Sequence, residues 1–199
     1  MEFFRKYWGV LGVVAILAII IISGINTIPT LDEDVKAKWS QVENEYKRRA
    51  DLIPNLVGTV KGYATHEKTT LTDVMNARAS ATKVTINADN LSDVDQMKKF
   101  EAAQGDLTRA LSRLMAVTEN YPNLKADTQF IALQSQLEGT ENRIAVARRD
   151  YIDSVQVFNT RVRTFPGFLW AAIYGAKPKA TFTATEAEEK TPSVNFDSK

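Results

Sequence analysis

The chain carries no charged side chain from residue 7 to residue 31. The core of that stretch, WGVLGVVAILAIIIISGINTI at 8–28, includes Trp8, Val10, Leu17, Ile22 and Ile28. As a helix it would be roughly 31 Å long, matching a hydrocarbon layer about 30 Å thick. Tyr7 and Trp8 lie at one edge, where amphipathic rings prefer the headgroup layer. The run is longer than the apolar segment of a signal peptide, and Ile22-Ser23-Gly24 is a poor cleavage site. The pattern therefore predicts an uncleaved single-pass anchor over 1–30. Arg5 and Lys6 precede the span and Asp32, Glu33 and Asp34 follow it, although Lys36 and Lys38 lie almost as close. We expect the bundle on the non-cytoplasmic side.

After Pro29 the apolar positions change to a helical period. Val35, Trp39, Val42, Tyr46, Ala50, Ile53, Val57, Val60 and Ala64 recur every three or four residues, which no strand could use. Pro54 falls inside this stripe, so a kink or restart near Asp51 is expected. Val74, Met75, Ala77 and Ala81 mark a shorter helix at about 67–83, and the polar stretch 83–90 reads as a connection. Ser92 is placed to cap a helix reaching Tyr121, with Asp95 as its capping-box partner. Phe100, Leu107, Leu111, Leu114 and Val117 form its stripe, and Pro122 stops it. A last long helix starts near Asp127, carries Phe130, Leu137, Ile144, Tyr151, Phe158 and Phe165, and ends at Pro166-Gly167. Single-striped helices of this length must bury their stripes against each other. The fold class is thus all-α: a transmembrane helix, then a long antiparallel bundle of about four main helices over 31–176, then a tail at 177–199. The stripes could close within one chain or between chains. A continuous arm through Thr65 would reverse the direction of the later helices.

Composition narrows the chemistry. The chain has 199 residues with 25 Lys+Arg against 24 Asp+Glu, a net charge of +1 that speaks against nucleic-acid binding. It has no cysteine and one histidine, so thiol nucleophiles, thiolate metal sites and most zinc and acid–base constellations are absent in advance. His66 has no partner histidine four residues on. Glu67, Glu119, Glu138 and Glu141 cannot make a four-helix carboxylate metal site, which needs two histidines as well. No enzyme activity, cofactor, metal or small-molecule substrate is expected. Over 32–64 acids and bases are evenly mixed, which reads as a solvated outer face; Arg48, Arg49, Asp51 and Arg148 read as salt-bridged on such faces and are also candidates for interaction or a polar network. Gln134, Glu141, Asn142 and Arg143 lie on or beside the apolar line of the last helix, where buried charges would need partners such as Arg109 or Arg113. With Glu119, these residues are candidates for a polar network or a partner-protein interface. Phe168, Trp170, Tyr174 and Lys177 follow the last long helix and are candidates for the membrane interface. The alternative is a cap closing the end of the bundle.

Several motifs in order resemble the LemA family. These are YKRRADLIPNLV at 46–57, VKGYA at 60–64 with His66-Glu67, ENYPNLK at 119–125, Leu133-Gln134 and LEGTENRI at 137–144. Ala147-Arg148, Tyr151, Phe158-Asn159, Phe165-Pro166 and the Pro192, Val194, Phe196 spacing continue the likeness. Ala50 and Ile152 stand where the family pattern has tyrosine and asparagine. The resemblance implies a bacterial membrane protein with one N-terminal span and a four-helix bundle, in the cytoplasmic membrane, with no catalytic residues. It leaves two roles open: an adaptor for an envelope protein, or a structural protein that self-associates on the membrane.

Overall fold

The computed structural model describes residues 2–182, without the side chains of residues 2–6, 17 and 20–23. The described chain is helical and contains no strand. Helix α1 is Glu2–Ile25, α2 is Thr27–Tyr63 and α3 is Lys68–Lys83. A short 3-10 turn at Ala88–Asn90 leads to α4, Val94–Thr118. The single turn α5 (Pro122–Lys125), the long α6 (Thr128–Arg163) and the short α7 (Gly167–Tyr174) complete the fold.

Among the described residues no helix is long and apolar enough to cross a membrane. The expected span at 8–28 falls partly outside them, since the side chains of Leu17 and Ile22 are not described. Its far boundary is corrected. The first helix ends at Ile25, and Ile28 is buried in the bundle core as part of α2. Pro29 sits in the first turn of α2, where its missing N–H has no helical acceptor to lose. Trp8 and Val10 on α1 are exposed.

Helix α2 runs without a break through Pro54, contrary to the expected restart. Proline removes the bond that the Ala50 carbonyl would accept. Arg78 on α3 replaces it, donating from Nε to that oxygen at 2.6 Å. The chain reverses instead at 64–67, so α2 and α3 are separate and a continuous arm is excluded. Helix α4 is capped by Asp93 rather than Ser92: its Oδ1 accepts from the backbone N–H of Asp95 and Gln96, both at 3.0 Å. Asp127 caps α6 in the same way, accepting from Phe130 N–H at 2.9 Å.

Cross-links between α2 and α6 give their register. Lys38 meets Asp150, Glu45 meets Arg143, Arg49 meets Glu141 and Tyr63 meets Asp127. The α6 number falls as the α2 number rises, so the two long helices are antiparallel, and α3 and α4 pack on them as a second antiparallel pair. The four stripes close within one chain into two apolar clusters. One, around Trp39, lies at the α1 end, and the other, around Ile53, Leu107 and Leu114, lies at the far end.

The last long helix was expected to carry Phe165 in its stripe and end at Pro166-Gly167; it ends at Arg163, Phe165 is exposed, and a further helix, α7, follows. The Phe165–Pro166 peptide is cis. The first six residues of the expected tail are docked on the bundle, and two of them, Ala180 and Phe182, are buried in its core. Asn159 clamps the Lys179 backbone on both sides, accepting its N–H at 2.7 Å and donating to its carbonyl at 2.9 Å. Tyr151 donates its hydroxyl to the Ala180 carbonyl at 2.8 Å, and Ala180 N–H donates to Leu91. Phe182 then stacks on Trp39 at 6.1 Å, beside edge contacts of Trp39 with Phe100 and Tyr151. The rest of the expected tail, including Pro192, Val194 and Phe196, lies outside the described residues.

Candidate functional site: a polar waist and an apolar end

The buried residues of α2 follow a stricter rule than the sequence pattern suggested. Val35, Trp39, Val42, Tyr46, Arg49, Ile53, Leu56 and Val60 alternate steps of four and three, a heptad seam with arginine in a core position. Helix α4 does the same through Met97, Phe100, Gln104, Leu107, Leu111 and Leu114, and α6 through Leu137, Thr140, Ile144, Ala147 and Tyr151. Arg49, Gln104 and Thr140, the polar members of these seams, lie at one level between the two apolar clusters.

Arg49 is 2% exposed. Its Nη1 donates to Glu141 Oε1 and Thr108 Oγ1, both at 3.0 Å, and its Nη2 donates to Gln104 Oε1 at 2.5 Å. The guanidinium also lies over the Tyr46 ring, 5.0 Å from its centroid. Gln104 in turn donates to the Ala81 carbonyl at the end of α3, so all four bundle helices meet at this level. Glu141 opens the layer to solvent, with its side chain 39% exposed. Arg143 flanks it, donating to Thr140 Oγ1 at 2.8 Å and Glu45 Oε2 at 3.0 Å. Beside the waist, Glu43, Tyr46, Lys47, Ala50, Phe100 and Gln104 line a half-open groove of about 350 Å³. Burial pushes the Glu43 carboxyl and the Tyr46 hydroxyl above their ordinary values.

Arg49, one of the network candidates, lies off the solvated face as the buried centre of the network. Two other expectations are corrected at the waist. The partner of Glu141 is Arg49 rather than Arg109 or Arg113, and Arg109 pairs with Asp106 one turn away. Gln134 is exposed and donates to Glu138. Arg48, Asp51 and Asn142 are exposed, and Glu119 pairs with Lys125 far from the waist. Arg148 lies over the Phe182 ring at 4.5 Å and reaches Glu101 at 3.9 Å. The carboxylates considered for a metal site are not brought together: Glu67 accepts from Tyr121, Glu138 from Gln134 and Glu141 from Arg49. Gln104, Thr108 and Thr140 were missed. Unbroken four–three spacing through Arg49 and Leu56 was the signal that would have found the layer.

The other distinctive region is the end where α6 returns to α1. Trp170 was a candidate for the membrane interface, but it is buried against Gly24, where an added Cβ would overlap its indole. Tyr174 donates its hydroxyl to the Ile25 carbonyl at 2.9 Å, fastening α7 to the last turn of α1. Phe165, Phe168, Leu169 and Ile173 stay exposed around them. A charged rim adjoins this surface. Lys179 bonds Asp32 at 2.7 Å, and Lys36 bridges Asp32, Glu33 and Asp89. Burial works to raise the Asp32 carboxyl, but the bonds from Lys179 and Lys36 outweigh it and hold it below its ordinary range. Lys177 is exposed beside this rim and lines the same cleft as Asp32, Asp89 and Tyr174.

The model of the LemA family matches residues 38–196. The chain belongs to the LemA family. Magnetosome protein MamQ 2 of Paramagnetospirillum magneticum is 28% identical over 201 residues, covering 93% of this chain and 73% of that protein. Magnetosome protein MamQ of Magnetospirillum gryphiswaldense is 26% identical over 184 residues, covering 84% and 67%. Protein LemA of Metamycoplasma hominis is 23% identical over 132 residues, covering 66% and 56%. None of these three names states an enzymatic activity. The LemA match begins within α2, so it takes in the waist and the docked segment through Phe182 but not α1.

Proposed function

We propose that this LemA-family chain is a non-enzymatic, membrane-tethered interaction protein of the bacterial cell envelope. In this reading the apolar helix α1 crosses the cytoplasmic membrane once. The bundle stands on the non-cytoplasmic side as a stiff rod that another envelope protein binds. One observation carries the reading: the large apolar side chains left exposed gather on α1 and α7 at one end, whereas along the shaft they occur singly, as at Val94, Ile131 and Val157. The uncharged run at 7–31 and the resemblance to a family of bacterial membrane proteins support the tether. The shaft, with α6 about 54 Å long, would hold its charged faces away from the bilayer.

The face assigned to the partner is the shallow groove between α2 and α6, lined by Gln41, Glu45, Asn142, Arg143, Val146 and Asp150. Val146 is exposed there among charges, a small apolar anchor with a polar rim. A photo-crosslinking residue at Val146 in cells should capture one protein, and Arg143→Glu should abolish the capture while the far-ultraviolet dichroism stays unchanged. Arg148 is unsuited to this test, because charge reversal there would disturb Phe182 and the core. Undiminished capture by folded Arg143→Glu protein would refute the assignment. Self-association cannot use the heptad seams, which are closed within the chain, and is left the charged faces or the apolar side chains exposed on α1 and α7. Light scattering in mild detergent should therefore give one or two chains per particle; a large regular particle would make assembly the function instead.

A further inference from the structure

We infer that α7 is a second membrane-contacting element, which lies flat in the headgroup–acyl boundary beside α1 and fixes how the bundle stands on the bilayer. The inference rests on the tether proposed for α1 and goes beyond it, because a single span alone leaves the bundle free to tilt and rotate. Helix α7 has the sequence GFLWAAIY, without a charge. Gly167, Trp170 and Ala171 face inward. Phe168, Leu169 and Ile173 face out with Phe165 just before them, and Phe165 and Ile173 are 75% and 71% exposed. Adjacent aromatic and aliphatic side chains turned outward on one face mark a surface that binds something apolar.

What that surface binds follows from where the helix is held. Trp170 packs on Gly24 and Tyr174 bonds the Ile25 carbonyl, so α7 is level with the last turn of α1. Val13, Val14, Ile16, Ile19 and Ile25 are exposed on α1, and the last turn of α1 touches α7 through Gly24 and Ile25. If α1 enters lipid, its C-terminal turn marks the surface of the bilayer, and α7 is already there. Lys177 follows within one turn, at the depth where an ammonium meets headgroups. The face is therefore assigned to lipid rather than to a partner protein.

The absence of cysteine makes the test direct. Single cysteines at Val14, Phe168, Ile173 and Val146, all exposed, would carry a nitroxide label in full-length protein reconstituted into phosphatidylethanolamine–phosphatidylglycerol nanodiscs. Oxygen concentrates in lipid and a nickel chelate in water, so the ratio of the two relaxation effects reports depth. Expected are an oxygen-dominated label at Val14, oxygen in excess of nickel at Phe168 and Ile173, and nickel dominance at Val146. Nickel dominance at 168 and 173 with an oxygen-dominated Val14 would overturn the inference and leave the tether standing. Nickel dominance at Val14 would overturn the tether itself. Labels at 168 and 173 shielded from both reagents would mean that protein covers α7, which also overturns the inference.

Discussion

Replacing Arg49 tests whether the waist adds stability or costs it. Four oxygens accept from the guanidinium: Glu141 Oε1 and Thr108 Oγ1 at Nη1, and the side-chain and backbone carbonyls of Gln104 at Nη2. Removing one member of a fully buried ion pair costs about 3–5 kcal/mol, because the other is left charged and dry. Glu141 is 39% exposed, so water can replace part of what it supplies. For Glu141→Ala we expect a loss of about 1–2 kcal/mol after that discount. Arg49→Ala removes the cation, opens a void in a heptad seam and leaves the buried Gln104 carbonyl without its donor. With about 1–3 kcal/mol for an unmet buried group added to the lost packing, its loss should reach about 3–4 kcal/mol. Arg49→Met fills the same volume without a charge, and Glu141 can turn to solvent, but the Gln104 carbonyl loses its donor here too. That variant should cost about 1–3 kcal/mol, less than Arg49→Ala by the packing it keeps. The measurement is guanidinium unfolding of the full chain in mild detergent, followed at 222 nm, with the Arg49→Ala/Glu141→Ala double variant closing the cycle. Arg49→Met as damaging as Arg49→Ala, or a coupling energy near zero, would refute this account of the waist.

Phe182→Ala should cost about 3 kcal/mol and lower the melting temperature by roughly 6–12 °C, because it strips a ring from Trp39 and Tyr151, whereas Ile173→Ala on the exposed face of α7 should stay within about 0.5 kcal/mol. Thermal melts followed by dichroism compare the two. An alanine methyl at Gly167 would overlap the backbone carbonyl of Arg161, which cannot swing aside, so Gly167→Ala should destabilise by about 1–3 kcal/mol in the same melts. The carboxyls of Asp32 and Asp127 are held below their ordinary 3.8, Asp127 by the Phe130 N–H and then the Tyr63 hydroxyl. Their contribution is full above pH 3.8 and disappears as the pH falls through their lower folded values. An acid titration of stability should therefore slope less steeply below that pH in Asp32→Asn/Asp127→Asn than in the parent.

The sequence by itself determined the helices and most of what they bury. Trp39, Val42, Ile53 and Val60 recur at helical spacing, and Asp127 and Pro122 mark their boundaries, because periodicity and caps are local properties of the chain. It placed Glu141 on the core line of α6 for the same reason. What it could not decide was which partner each polar group meets. Arg49 looks like any surface arginine among Lys47, Arg48 and Asp51. Only the antiparallel register of α2 and α6, with α4 behind them, brings Glu141, Gln104 and Thr108 around it. The break expected at Pro54 failed for a related reason: Arg78, 28 residues away on the neighbouring helix, supplies the donor that the proline lacks. Phe182 carries no local signal at all, since a single ring beyond the last helix acquires its place only when Asn159 and Tyr151 hold the backbone before it. The direction in which the chain reverses at 64–67 is likewise tertiary. It returns α6 to the α1 end and sets α7 beside Gly24 and Ile25. Spacing along one helix selects its buried face, but only the packing of separate helices determines what that face meets.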